Sequence, residues 1–258
     1  MHCNPEQTAG PGVDKSAIGK AFGRAAATYD DYAALQRITG DRLREIAGMP
    51  AAGDLLDAGC GSGWYSRCFS AAGYRVTALD ISTEMLRYAR QQQSAADYLQ
   101  ADLDALPFRA GSFDVIWSNL ALQWSNQLRQ AVYQLRSALR PAGQLRFSTV
   151  AAGSLPEVDQ AWQSVDGTAH TNSFLTVQQI TQAVCGYGIR LIHEPVTLHF
   201  PSARAALWSL KGVGAGHLHQ RTKSLPLTRQ RLALLDAGWP KETEGYRLSY
   251  QIVYGVTE

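Results

Sequence analysis

Cysteine is scarce: Cys3, Cys60, Cys68 and Cys185 are the four in 258 residues, and no two form a CxxC pair. Neither a disulfide framework nor a zinc site can be built from that spacing, and scattered thiols suit a reducing cytoplasm. Long apolar runs are missing too. The N-terminus, MHCNPEQTAGPGVDKSAIGK, has no apolar stretch of about 7–15 residues, so no signal peptide is expected. Nothing reaches the ~20 apolar residues of a bilayer-spanning helix. Charge of one sign is also lacking: 24 Lys and Arg against 22 Asp and Glu leave +2, which argues against a general nucleic-acid binder. There is no internal repeat, no low-complexity run and no obvious Ser-His-Asp or Cys-His set. What is there, 45% hydrophobic and 18% charged residues, excludes a disordered chain and suits one α/β domain with a cap.

Residues 1–14, with Pro and Gly, read as a mobile tail. Lys15 to about Met49 reads as helical. Ile18, Phe22, Ala25 and Tyr29 recur at near-helical spacing, as do Tyr32, Leu35, Thr39 and Arg42 beside Leu43 and Ile46. This predicts an N-terminal helical cap over 15–50. Strands and helices then alternate. Runs at 54–59, 75–80, 96–102, 113–119 and 144–150 read as strands. Helices are expected from about Trp64, from the N-cap Ser82 to about Gln92, and from Asn126 along the stripe Leu128, Ala131, Val132, Leu135, Ala138 and Leu139. Repeated βα units predict a doubly wound, mostly parallel sheet. RLIHEPVTLHF (190–200) and RLSYQIVYGV (247–256) alternate as strands do and are expected to close it as an antiparallel pair. The core is therefore expected over 51–200 and 241–258, with 201–240 inserted as a basic helical lid.

The strongest chemical signal is Asp57-Ala58-Gly59-Cys60-Gly61-Ser62-Gly63 after the first strand. Such glycines let the backbone turn tightly and pass close to a ligand. The pattern is GxGxG; Trp64 stands where a dinucleotide fold needs a small residue against the pyrophosphate. Asp80 ends the second strand, where a carboxylate can accept both ribose hydroxyls of an adenosyl group. Asp102 ends the third, where it could accept the adenine amino group. Asn119 and Leu120 end the fourth and would line the same crevice. Any one Asp can be a cap or turn residue; three at successive strand ends beside a Gly turn point to a ligand. Cys60, with no cationic neighbour in sequence, reads as a small filler.

LLDAGCGSG, ALDIS, the Asp102 strand end and FDVIWSNLALQW resemble, in order and spacing, the class I S-adenosylmethionine-dependent methyltransferases. KSAIGKAFGRAAATYDDYAALQR, SNLALQW, FSTVAAGSLPEVDQAW, HTNSFL and SLKGVGAGHLH resemble more closely the malonyl-acyl carrier protein O-methyltransferases of biotin synthesis, over nearly the whole chain. Ser62 stands where that pattern usually has Thr or Pro. The resemblance implies a seven-stranded Rossmann-like sheet and S-adenosyl-L-methionine as cofactor. It places the cofactor among Tyr29, Asp57, Gly59, Gly61, Gly63, Asp80, Ile81, Met85, Asp102, Leu103, Asn119 and Leu120. The implied partner is an acidic acyl carrier protein bearing a malonyl thioester, met by a cytoplasmic monomer without nucleic acid, membrane or metal.

A carboxylic acid substrate is ionised at pH 7, so no general base is required, and proximity and orientation are the expected means of catalysis. A partner for the carboxylate is expected on the lid, where Arg204, Lys211, Arg221, Lys223, Arg229 and Arg231 face Asp236 alone. Lys211 leads and His217 follows; the same stretch also reads as a solvated helical face. Arg24 could reach a carboxylate, and Tyr29 could close over the cofactor or simply pack. Gln123, Trp124 and Asn172 are the remaining substrate candidates. Other readings of the crevice are a methyltransferase acting on a quinone precursor or another carboxylic acid, a non-catalytic cofactor-binding module, and a nicotinamide dehydrogenase.

Overall fold

The computed structural model describes residues 12–46, 48, 50, 52–215 and 227–258. The N-terminal region is not one helix but three: α1 (Lys15–Ala25), α2 (Tyr29–Tyr32) and α3 (Ala34–Ile46). Asp14 caps α1 by accepting from the Ala17 N–H at 3.0 Å. Residues 1–11 lie outside the described residues, but Val13, at the end of the expected tail, is buried. Its N–H donates to Asn126 Oδ1 at 2.6 Å.

From there the alternation follows the sequence pattern: β1 (Asp54–Ala58), α4 (Trp64–Ala71), β2 (Arg75–Asp80), α5 (Thr83–Gln91), β3 (Asp97–Gln100), β4 (Phe113–Asn119), α6 (Leu128–Ala138) and β5 (Leu139–Ala151). Then come α7 (Pro156–Gln163), α8 (Val177–Val184), β6 (Ile189–Phe200), α9 (Ala203–Gly212), α10 (Arg229–Gly238), β7 (Lys241–Glu242) and β8 (Gly245–Thr257). The sheet runs β3-β2-β1-β4-β5-β8-β6, and β7 pairs with β8 as a short hairpin, which makes eight strands where seven were expected. The first five strands are parallel, and β8 is antiparallel to both β5 and β6. Two further expectations need correction. Asp102 lies two residues beyond β3 rather than ending it. Gln127, not Asn126, precedes α6, because Asn126 is engaged with Val13.

Successive strand residues face opposite sides, so the fully buried Leu55 and Leu56 feed two apolar layers. One holds Phe69, Trp117 and Tyr254 under α4, α7 and α9; the other holds Ile116, Val132 and Phe147 under α6 and α8. Each such side chain contributes about 1.5–3 kcal/mol on burial. The chain leaves β3 and returns on the other side of β1 as β4. A crevice therefore opens at the C-terminal ends of β1 and β4, where open α/β sheets bind ligands. Among the described residues no helix is long and apolar enough to cross a membrane.

Candidate active site

The turn after β1 folds back on β2: the N–H groups of Gly59 and Cys60 both donate to the Leu79 carbonyl, at 2.8 and 2.9 Å. Gly59 has φ +86°, and a Cβ there would lie 2.4 Å from that of Ala121, so the position admits only glycine. The same turn aims the Gly61 N–H at Asp80 Oδ2, 2.9 Å away, while Asp80 Oδ1 accepts from the Ser82 N–H at 2.8 Å. Each Asp80 oxygen keeps a lone pair for a ligand hydroxyl. Burial raises the Asp80 pKa, and the backbone donors oppose that shift. Asp57 is buried at the end of β1 and accepts from Ser66 Oγ at 2.6 Å. Burial, opposed by the Ser66 bond and helped by nearby Asp80, pushes its pKa up to about 7. Burial and the same two carboxylates raise Cys60 well above the ordinary thiol value. It stays a neutral thiol, as a filler should.

Three hollows meet here. Asp80, Ile81, Asp102, Leu103 and Leu120 line the first, beside β2 and β3. Asp57, Gly61 and Ser62 line the second, under α4. The third is a cavity of about 180 Å³ walled by Gln123, Trp124, Asn172, Tyr32 and Tyr250. Gly59 and Asn119 border the first two; Tyr29 borders all three. Asn119 is also a strut. Its Nδ2 donates to the Gln36 carbonyl at 2.8 Å, and its Oδ1 accepts from Thr39 at 3.0 Å and Ser148 at 2.6 Å, tying α3 to the sheet.

Several expected members lie elsewhere. Met85 is fully buried in the first turn of α5, its N–H bonded to Ser82 Oγ, and lines none of these hollows. Gly63 caps α4 in a left-handed conformation without lining them. Arg24, on α1, and Lys211, on α9 outside its buried face of Ala203, Ala206 and Ser209, line a separate groove. His217, with Arg221 and Lys223, lies outside the described residues. Asp102 is present but partly engaged: its Oδ1 accepts from Lys15 Nζ at 2.8 Å and the Asp104 N–H at 2.9 Å.

Other residues escaped sequence reasoning. Lys15, Ile18 and Phe22 bring α1 over the first hollow, and Phe22 meets Trp124 edge to face at 5.6 Å. Asp30, Gln36 and Arg37 do the same over the second. The Arg37 guanidinium lies 4.2 Å from the Trp64 ring centre and donates to the Asp30 carbonyl at 2.8 Å, while its Nε is buried without a partner. His170 stacks on Trp162, its ring 3.6 Å away, and borders the third cavity. The FGRAA, YDDY and HTNSFL segments pointed to these neighbourhoods, but not to individual side chains.

Residues 56–147 match the Methyltransferase domain family. The malonyl-[acyl-carrier protein] O-methyltransferase of Pectobacterium atrosepticum is 50% identical over 246 residues, 94% of this chain and 96% of its own. That of Pseudescherichia vulneris is 47% identical over 246 residues, 95% and 98% of the two chains. The solved DhpI–SAM–HEP complex shares the fold, with 20% identity and a TM-score of 0.52 over 69% of this chain and 91% of its own. With a Gly turn at the switch point of its sheet, Asp80 at the neighbouring strand end and this closeness to those relatives, the chain belongs to the malonyl-[acyl-carrier protein] O-methyltransferase family, whose methyl donor is S-adenosylmethionine.

Proposed function

We propose that this chain transfers the methyl group of S-adenosylmethionine to the free carboxylate of malonyl-acyl carrier protein, or malonyl-CoA, giving the methyl ester that primes pimeloyl synthesis for biotin. The supporting observation is the shared wall. Tyr29, Phe22, Leu120 and Trp124 border both the cofactor crevice and the third cavity, so donor and acceptor would meet across a few side chains.

The residues present fit the cofactor. Asp80 has acceptor capacity for ribose, Asp102 Oδ2 remains for an amino group, and the buried, partnerless Arg37 Nε suits an α-carboxylate. Asp57 suits the α-ammonium. When bound, the cofactor supplies an electrophilic methyl group. The chain supplies position: Tyr29, half-buried and with its pKa raised first by desolvation and then by Asp80 and Asp30, stays a neutral phenol over the junction, and the apolar walls of Trp124, Val150 and Leu155 exclude water.

Among the described residues no Arg or Lys lines the third cavity; its polar lining includes Gln123, Asn172 and His170, with one carboxylate, Asp31, beside them. This departs from the lid cation first expected, and chemistry favours it. Methylation removes the carboxylate charge, so a tight ion pair would hold the ground state more strongly than the transition state. Amide donors such as those of Gln123 and Asn172 orient without that penalty. On this reading 51–200 and 241–258 form the catalytic core, 15–50 the cap and 201–240 the lid. Cys60, Cys68 and Cys185 form no disulfide, which suits a cytoplasmic enzyme.

Incubation with methyl-labelled cofactor and malonyl-carrier protein is expected to give a base-labile labelled ester. Cofactor binding without label on any acyl acceptor would instead indicate a binding module. A smaller effect belongs to Arg37→Ala. With its side chain about a third exposed (35%), cofactor affinity should fall roughly five- to tenfold by calorimetry, about 1 kcal/mol. An unaltered Kd would remove Arg37 from the site.

A further inference from the structure

A second concavity, of about 650 Å³, runs between α1, α7 and α9, outside the hollows assigned above. It shares Tyr32, His170 and Leu210 with the third cavity, so the two spaces adjoin through those side chains. The close seating of α9 creates this arrangement: a Cβ on Gly212 would lie 2.3 Å from the Tyr32 ring, so only glycine lets α9 approach α2.

Its charge is one-sided. Arg24 and Lys211 line it, and no Asp or Glu does. Lys211 Nζ lies 4.8 Å from the Trp208 ring centre, and Arg204, one turn earlier on α9, lies 5.1 Å from the same ring. None of the three forms an ion pair among the described residues. Elsewhere cations find carboxylates: Arg42 pairs with Glu194, Arg140 with Asp54 and Asp114, and Arg231 with Asp166. Trp208 itself is 36% exposed. A patch of unpaired cations around an aromatic floor suits a phosphate joined to a slender, partly apolar chain.

We propose that this groove receives the 4′-phosphopantetheine arm of the acyl carrier protein. Its phosphodiester pairs with Arg24 and Lys211, its amide chain crosses Trp208, and its thioester end passes Tyr32 and His170 into the cavity. The inference rests on the methyl-transfer reading and adds the route by which the substrate reaches the site. Complementary charge would chiefly raise the association rate and weaken with salt.

The test compares malonyl-carrier protein, malonyl-phosphopantetheine, malonyl-pantetheine and a short malonyl N-acetylcysteamine thioester as methyl acceptors, using the full chain. For wild type, kcat/KM should rank the phosphorylated acceptors above malonyl-pantetheine. The double variant Arg24→Glu/Lys211→Glu should lower the ratio of carrier to short thioester at least tenfold and abolish the preference for phosphate. Arg24→Gln/Lys211→Gln should do the same to a lesser degree, with cofactor affinity reporting that each variant is folded. Arg109→Glu, an exposed reversal in the β3–β4 connection, should keep the wild-type ratio. A ratio within about twofold of wild type in the double variant, or a preserved preference for phosphate, overturns the groove assignment while leaving methyl transfer standing. Failure of wild type to methylate any of the four overturns the function itself, and the inference with it.

Discussion

Replacing Asp80 by Ala is expected to weaken S-adenosylmethionine binding by roughly 1.5–3 kcal/mol, the range for losing hydrogen bonds to a charged group. That is about 10- to 150-fold in Kd. The figure belongs to the ribose hydroxyls, which lose their anionic acceptor. The carboxylate also holds the turn, accepting from Gly61 and Ser82 N–H, so part of the loss would come from relaxation of that backbone. Asp80→Asn separates the two effects: it keeps one strong acceptor, removes the charge, and should fall between wild type and Ala. Calorimetric titration of each variant, with circular dichroism to verify the fold, gives the comparison. An unchanged Kd in Asp80→Ala would take Asp80 out of the cofactor site.

Asp80 was legible for a physical reason. β2 runs through the buried Val76, Ala78 and Leu79 to a carboxylate in the register where β1 reaches its Gly turn. The strands β1, β2 and β4 were readable in the same way, because apolar runs stop at polar residues. The cap was harder. Helical spacing continues across Ala26-Ala27-Thr28 without Gly or Pro, so nothing local announces that the chain breaks there and again at Ala33. The break is a tertiary effect. It carries Tyr29 to the junction of the three hollows, about 3.7 Å from a Cβ placed on Gly61. The place of Lys211, in the groove beside the third cavity, was hidden for a related reason. Its segment was recognisable, but which face of α9 turns inward depends on the contact of Gly212 with Tyr32, a constraint between residues 180 positions apart. Arg37 was invisible because an arginine on a helix is usually solvated. Its place over the second hollow, the Trp64 ring beneath it and its buried Nε appear only in the folded chain.

Cofactor affinity should depend on pH through Asp57. Its pKa of about 7 in the folded chain, set first by burial, exceeds the ~3.9 of an unfolded Asp. Between those values the folded chain holds a proton that the unfolded chain has released. The contribution of Asp57 to stability without cofactor is therefore full below pH 4 and falls as pH rises toward 7. A ligand ammonium placed beside it favours the ionised form. Binding below pH 7 must then expel the proton, and affinity should drop about tenfold per pH unit from 7 to 5, near a hundredfold in all. Titrations at pH 6 in buffers of different ionisation enthalpy should count close to one proton released per cofactor bound. Asp57→Asn keeps the acceptor for Ser66 Oγ and cannot titrate, so it should bind more weakly at pH 8, yet with a flat profile down to pH 5. A wild-type profile already flat over this range would mean that Asp57 is ionised without cofactor or does not meet the ammonium. A steep profile surviving in Asp57→Asn would move the titrating group to another carboxylate, of which buried Asp80 is the nearest candidate.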